Sequence, residues 1–328
     1  MRHIVGIDVS KEKLDICWLR DANSRKKKSK SVKNTLKGHD EVHQWLLKNI
    51  KEDASDILIV VEPTNVYHEA LVYFLFEKKF NIFMVNSGKA KKFAESLNLI
   101  HKTDKSDAAM LAFYGHAQAG TMTLWQPEPL AIRELKAMMR RLDALEKDLF
   151  RETNRRDASE ISDTSERVLQ SLNDMILVLE TEIKKLKQDI DEHINRYDNL
   201  KKNRALLESI QGIGPVMSRE LVYLFAAKSF KSARQLAAYL GLIPRLNESG
   251  KLKGRTTLSK TGPTRLRAKL YMAAIVASTY NPDIKAQKNR LLKTGKTKME
   301  ALGAAMRKLA QICYGVVKHQ SEYQPQVT

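Results

Sequence analysis

Two aspartates, Asp104 and Asp107, stand three residues apart at the start of an apolar helical pattern in IHKTDKSDAAMLAFY, residues 100–114. That spacing puts both carboxylates on one face of a helix, where they repel unless something positive sits between them. Two more carboxylates have telling neighbours. Asp8 follows the apolar IVGI, and Glu62 closes DILIVVE, so each lies within or at the end of a run that reads as a strand. A lone carboxylate there is costly unless it sits at a strand end or ligates something. Carboxylates from two strands and one helix can converge on one point. Hard oxygen ligands suit Mg²⁺ or Mn²⁺. Two such ions about 4 Å apart can clamp the attacking and leaving oxygens of a phosphodiester displacement. Each residue alone has a plainer role. Asp104 and Asp107 would favour a helix dipole, Asp8 a turn, and Glu62 a solvated strand end.

The elements that must position them fill residues 1–125. HIVGIDVS and LDICWLR read as strands, KSKSVKN as a possible third, and HDEVHQWLLKNI as a helix starting at His39-Asp40;. DILIVVE is continuously apolar, as a strand buried on both faces requires;. Helix YHEALVYFLFEKK, strand NIFMVN and helix GKAKKFAESLNL follow. Strands first, then alternating helix and strand, predict a mixed sheet covered by helices. A ribonuclease-H-like sheet places its metal carboxylates in this order, and that context favours joint action over four separate roles.

Residues 126–205 form a second region, helical throughout. No Gly or Pro occurs between Pro129 and Gly212. Leu169, Leu172, Ile176, Leu179, Ile183, Leu186 and Ile190 make a coiled-coil seam, and Met138, Leu142, Leu145 and Leu149 a shorter one;. The polar stretch RETNRRDASEISDTSE between them reads as a break. A helical hairpin, a dimerisation stalk and two helices packed within one domain all fit.

Residues 206–328 open with LLESIQGIGPVMSRELVYLF, a helix-hairpin-helix pattern. Gly212 and Gly214 let backbone approach a phosphate at a helix N-terminus; glycines in such turns also serve packing. ARQLAAYLGL reads as a helix, the first half of IPRLNESGKLKGRTTLSKTGPTRLRAKLYMAAIVAS as a loop, its second half as a Pro-initiated helix, and KMEALGAAMRKLAQICYGVVKH as a last helix.

Composition bounds the partners. Lys and Arg number 57 against 38 Asp and Glu, a net charge of +19, which favours a polyanion, with nucleic acid ahead of an acidic membrane. At 43% hydrophobic residues the chain is globular;. Cys17 and Cys313 have no partner at metal-ligand spacing and fit a reducing cytoplasm;. MRHIVGIDVS reads as a strand rather than a signal peptide, and runs such as YMAAIVA are too short to span a bilayer;.

GIDVSKEKLDI, VVEPTNVY, KTDKSDAAMLA, SIQGIGPVMS and GLIPRLNESG…LSKTGPTRLRAKLYMAA, in this order, resemble the DEDD transposases of bacterial insertion sequences, the insertion-sequence one-ten family of bridge-RNA-guided serine recombinases. The resemblance implies a RuvC-like domain, a coiled coil and a carboxy-terminal transposase domain. It assigns metal binding to Asp8, Glu62, Asp104 and Asp107 and the nucleophile to Ser249, which composition alone would leave as a turn residue. Around Ser249, Arg245, Lys251, Lys253, Arg255 and Lys260 are placed to hold phosphates, as is Lys102 beside the aspartate pair;. The family reads Gly where this chain has Asn65, the non-Gly residue that best tolerates a left-handed backbone.

The expectation is a Mg²⁺- or Mn²⁺-dependent DNA transposase that forms a transient phosphoserine link. Its expected partners are donor and target DNA, a structured guide RNA and further copies of the chain, as dimer or tetramer, with no membrane. It would be cytoplasmic and nucleoid-associated when active. On the resemblance, with the coiled coil mediating assembly, the two sites would meet between protomers. The basic segment RDANSRKKKSKSVKN is a candidate for nucleic-acid backbone. Two alternatives stand beside this: a junction-resolving nuclease that uses water, and a non-catalytic nucleic-acid scaffold.

Overall fold

Alternating and continuous apolar runs in the amino-terminal third build one five-stranded sheet. The strands are β1 (His3–Val9), β2 (Lys13–Asp21), β3 (Lys26–Lys33), β4 (Ile57–Val61) and β5 (Asn81–Met84). They are ordered β3-β2-β1-β4-β5. The first three form an antiparallel meander, and β4 and β5 run parallel to β1. The computed structural model describes residues 3–24, 26–97, 104–120, 122–162, 164–245, 248–249, 252–253 and 257–326; of residues 104, 105, 248, 249, 252 and 253 it describes the backbone. The chain divides into two compact units, Met1–Pro127 and Glu128–Thr328.

Helices α1 (Leu36–Ile50), α2 (Glu69–Glu77), α3 (Ser87–Ser96) and α4 (Asp104–Gln118) complete the first unit. Helix α1 begins earlier than His39-Asp40. Thr35 caps it by accepting from the Gly38 N–H at 3.2 Å, a cap that the apolar periodicity does not reveal. The strand period of two sorts the sheet's faces. Val5, Ile7 and Val9 of β1, with Ile57, Ile59 and Val61 of β4, pack against Val42 and Leu46 of α1 and Leu71 and Leu75 of α2. Ile4, Leu58 and Val60 point the other way and pack with Met110, Leu111 and Tyr114 of α4.

Gly6 lets α4 lie almost on the backbone of β1. A Cβ there would stand 2.1 Å from the Ala108 carbonyl oxygen and 2.5 Å from the Ala112 nitrogen. Neither is a side chain that can turn aside. Gly6→Ala is therefore expected to destabilise the first unit by about 3 kcal/mol. All three tryptophans, Trp18, Trp45 and Trp125, lie in this unit, so their fluorescence follows its unfolding in denaturant. An unchanged midpoint would contradict the close packing.

The second unit is helical. Helices α5 (Leu130–Ile161) and α6 (Glu166–Arg196) form an antiparallel hairpin within the chain. Buried Ile132, Leu135, Met139, Leu142 and Leu145 face Leu179, Ile183, Ile190 and Ile194. The break expected in RETNRRDASEISDTSE falls only at its end: α5 continues through RETNRRDASEI to Ile161 and α6 begins at Glu166. It has no Gly or Pro, and ion pairs one turn apart, Arg151 with Asp148 at 2.9 Å and Arg155 with Glu152, support a solvated helix;. Helices α7 (Asp198–Glu208), α8 (Pro215–Ala227), α9 (Ala233–Tyr239), α10 (Thr264–Tyr280), α11 (Pro282–Lys293) and α12 (Lys298–His319) follow. The hairpin's core runs on without interruption to Val316. Arg219 of α8 grips Asp191 of α6 with two bonds of 2.7 and 2.6 Å, and Arg265 of α10 meets Asp143 of α5 at 2.5 Å. These pairs fix the base of the hairpin to the helices that follow.

The described residues between 244 and 258 are not the irregular loop expected. Strands β6 (Pro244–Arg245), β7 (Glu248–Ser249), β8 (Leu252–Lys253) and β9 (Thr257–Leu258) pair as two short antiparallel ladders, β6 with β9 and β7 with β8. Ladders two residues long carry no readable alternation, which is why the pattern looked like loop.

Candidate active site

The register of the sheet brings Asp8 and Glu62 together. Ile7 pairs with Val61 in the parallel β1–β4 ladder. The next residues on each strand are therefore neighbours at the carboxyl ends of two adjacent strands. Both turn toward the face that α4 covers, because Gly6 and Val60 do;. Both are half-buried.

Helix α4 aims its start at the same place. Ala108 and Ala112 lie over Gly6, while a Cβ on Gly115 would meet Val60 and Ile4 at 2.6 and 2.8 Å. The helix thus runs antiparallel to β1. One turn back from Ala108 and Leu111 on that stripe are residues 104 and 107. Asp8 lies about 6.6 Å beyond Gly6 along the strand, a distance that α4 covers in about four residues at 1.5 Å each. All four backbone positions therefore fall at one end of one face.

Their donors are carboxylate oxygens alone, the set that a hard divalent cation takes. Placement and chemistry both fit Mg²⁺ or Mn²⁺. The described side chains are not gathered in advance: among the described residues no three Asp, Glu, His or Cys form a ligating cluster. The side chain of Asp104 lies outside those residues, and Asp8 and Asp107 have other interactions. Carboxylates brought close with no cation repel one another, so spread side chains are the expected resting arrangement.

The turn after Glu62 keeps its shape without glycine. Asn65 has φ 47°, in the left-handed region;. The Tyr67 N–H then donates to the Thr64 carbonyl at 3.1 Å.

Two residues that sequence reading passed over belong to this end of the sheet. Asp15 on β2 pairs directly with Asp8 and is 2% exposed. Lys13 neutralises it at 2.8 Å, and the Ser31 hydroxyl donates to its other oxygen. The alternation of LDICWLR put Asp15 on this face, but only the pairing register put it beside Asp8. Asn34 is the second. Its side-chain amide donates to the Ser10 carbonyl at 2.9 Å and the Tyr67 carbonyl at 3.0 Å. It thereby clips the loop after Asp8 to the loop after Glu62. Its oxygen accepts from His39 Nε2 at 2.9 Å. Burial lowers the pKa of His39, which favours the neutral ring that this bond uses;.

Ser249 lies in the second unit, on β7, opposite Leu252. The β6–β9 and β7–β8 ladders make up an arm. The arm's base is closed by Arg267 on α10, which donates to the Leu240 and Thr261 carbonyls, each at 3.2 Å. Gly241 at φ 71° admits the crossing, since a Cβ would stand 2.2 Å from the Thr261 oxygen. Arg245 and Lys260 are exposed on the arm. Lys253 pairs with Glu248 in the ladder. Lys102, Lys251 and Arg255 lie outside the described residues.

At the helix-hairpin-helix turn the two glycines differ. Gly212, at φ 104°, packs where a Cβ would be 2.6 Å from that of Ala277, which is a packing role. Gly214 is exposed, with open space where a Cβ would point, at the start of α8.

A mixed sheet ordered β3-β2-β1-β4-β5, with acidic residues at the ends of β1 and β4 and at the start of α4, is a ribonuclease-H-like arrangement. With the family models that match both units, it makes the protein an enzyme of the transposase class. A family model described as Transposase, of the DEDD type in IS110, matches residues 5–159, and one described as Transposase IS116/IS110/IS902 family matches residues 204–289. The chain belongs to the IS110 family of transposases. It is 28% identical to the pilin gene-inverting protein of Moraxella lacunata, over 98% of each chain. It is 32% identical to a probable family 20 transposase of Pseudomonas aeruginosa, over 33% of this chain and 31% of that one. Among solved structures, Thermus thermophilus RuvC in complex with a Holliday junction substrate matches 38% of this chain and 99% of its own, with 15% identity and a TM-score of 0.28. No helix among the described residues is long and apolar enough to cross a membrane.

Proposed function

We propose that the protein cuts and rejoins DNA phosphodiesters to move an insertion element, with Ser249 as nucleophile and Asp8, Glu62, Asp104 and Asp107 as the ligands of Mg²⁺ or Mn²⁺. The observation that carries the metal half is the convergence of four acidic positions on one end of one sheet face. Family membership carries the rest, and the inversion of DNA named for the Moraxella relative is the same class of strand exchange.

Ser249 Oγ attacks a DNA phosphorus, and the displaced deoxyribose oxygen leaves as a hydroxyl. The phosphoserine link keeps the bond energy, so the reverse attack rejoins strands without ATP. A bound divalent cation would supply charge for the phosphate oxygens and lower the pKa of the attacking hydroxyl. Asp8 and Glu62 hold that position on rigid strand ends, and Asn34 keeps their two loops in register. Arg245 and Lys260 steady the backbone of the strand on the arm. A structured guide RNA selects the sites by base pairing, while the protein reads backbone and shape. The α5–α6 hairpin serves assembly of a dimer or tetramer.

The test is to incubate protein, RNA and DNA with Mg²⁺ and run a denaturing gel. Recombination through serine predicts a covalent protein–DNA species. Cleavage with no such species would replace this reading by hydrolysis, and an absence of both would leave a scaffold.

A further inference from the structure

Strand β3 carries its lysines on two faces with different surroundings. Lys28 and Lys30 share a face with Val32, which packs on α1;. Lys28 Nζ donates to Asn49 Oδ1 at 2.5 Å, and Lys30 stands 3.7 Å from Glu41. Both partners are on α1, so these two lysines are engaged on the side away from α4.

Lys27, Ser29, Ser31 and Lys33 face the other way. The register places Ser31 opposite Asp15, and Asp15 opposite Asp8, so they line the face that bears the carboxylates. All four are exposed. Helix α4 lies over β1, β2 and β4, and its flank stops at β2, where Ala108 and Ala109 meet Cys17. The result is an open shelf along the sheet edge, leading away from the Asp8 row. It carries a cation at each end, and the serines between them are engaged with Cys17 and Asp15. Same-face residues on a strand repeat about every 6.7 Å, comparable to the step between successive phosphates of a nucleic-acid strand. Neither Lys27 nor Lys33 has an ion-pair partner among the described residues, and the one carboxylate behind the shelf, Asp15, is already neutralised by Lys13.

We infer that this β3 shelf is a docking surface for a sugar-phosphate backbone, which it guides toward the carboxylate end of the sheet. The inference rests on the function proposed above and adds the place and direction of entry. Ammonium groups recognise phosphate without reading bases, so the contact is independent of sequence. Lysines on an edge strand also deter strand pairing between molecules, but that role is served by either face. The shelf makes the two faces unequal.

The experiment compares Lys27→Gln/Lys33→Gln with Lys28→Gln/Lys30→Gln. Both pairs remove the same charge from the same strand. Affinity of the full chain is measured against salt concentration for duplex DNA, single-stranded DNA and a structured RNA. Each lost phosphate contact lowers the slope of log K against log salt by about 0.9 for a duplex and about 0.7 for a single strand. The 27/33 pair is expected to lower the slope by about 1.4–1.8 in at least one arm, and that arm identifies the strand that docks. The 28/30 pair is expected to leave it unchanged. Equal slope losses from both pairs, or none from the 27/33 pair, overturn the shelf while leaving the proposed function intact. A wild-type chain that binds none of the three probes overturns both.

Discussion

Ser249→Ala is expected to abolish the covalent protein–DNA species and to lower strand joining at least about 10⁴-fold, with nucleic-acid affinity unchanged within about twofold. The structure explains why so large a chemical effect leaves the fold intact. Ser249 pairs with Leu252 through backbone in the arm, and alanine keeps that backbone. The arm's position is set at its base by Arg267 and Gly241, which the substitution does not touch. Affinity is expected to come from cationic groups such as Arg245 and Lys260 rather than from one hydroxyl. Joining that persists at wild-type rate in the alanine variant would remove serine from the mechanism.

Asp8→Asn also has a large expected effect on chemistry and little on stability. The amide is isosteric but is a poor ligand for a hard cation, so turnover falls at least about 10³-fold. Asp8 lies directly across from Asp15 in the β1–β2 ladder. Like charges paired across strands repel, but Lys13 already neutralises Asp15, so the isosteric amide is expected to change stability little. Tryptophan fluorescence in denaturant is therefore expected to show the first unit unchanged within about 1 kcal/mol. Loss of activity together with unfolding would point to a structural role for Asp8.

The same two residues illustrate how far sequence alone could go. Asp8 and Glu62 were legible because a carboxylate in or after an apolar strand is conspicuous, and Asp104 and Asp107 because their spacing fixes a helix face. Asp15 was equally acidic and less exposed, yet invisible. Its importance comes from the β1–β2 register, which joins residues that local pattern does not connect. Asn34 was hidden for a related reason: its three partners, on Ser10, Tyr67 and His39, belong to separate elements. The five-stranded sheet and the α5–α6 seam followed from periodicity. The extension of α5 to Ile161 did not, because ion pairs on a solvated helix leave no apolar stripe. Helix α11 was likewise unread, and the arm around Ser249 passed for loop because its ladders are too short to show alternation. Asn65 is a case where chemistry outran pattern: its tolerance of positive φ preserved a turn that elsewhere uses glycine.

The two lysine faces of β3 show the same division. A count of charges marked the segment as basic, and only the sheet told which lysines share a face with the carboxylates. If that shelf guides a strand, its end beside Ser31 is where the strand meets the carboxylate site.

All of this depends on Asp8, Glu62, Asp104 and Asp107 closing on a divalent ion. Crystals grown with Mn²⁺ and measured for its anomalous scattering test that directly. The expected result is a peak at the carboxyl ends of β1 and β4, within ligating distance of Asp8, Glu62 and at least one of the two α4 aspartates. A peak bound elsewhere, or none at saturating Mn²⁺ in a chain that still joins DNA, would contradict it.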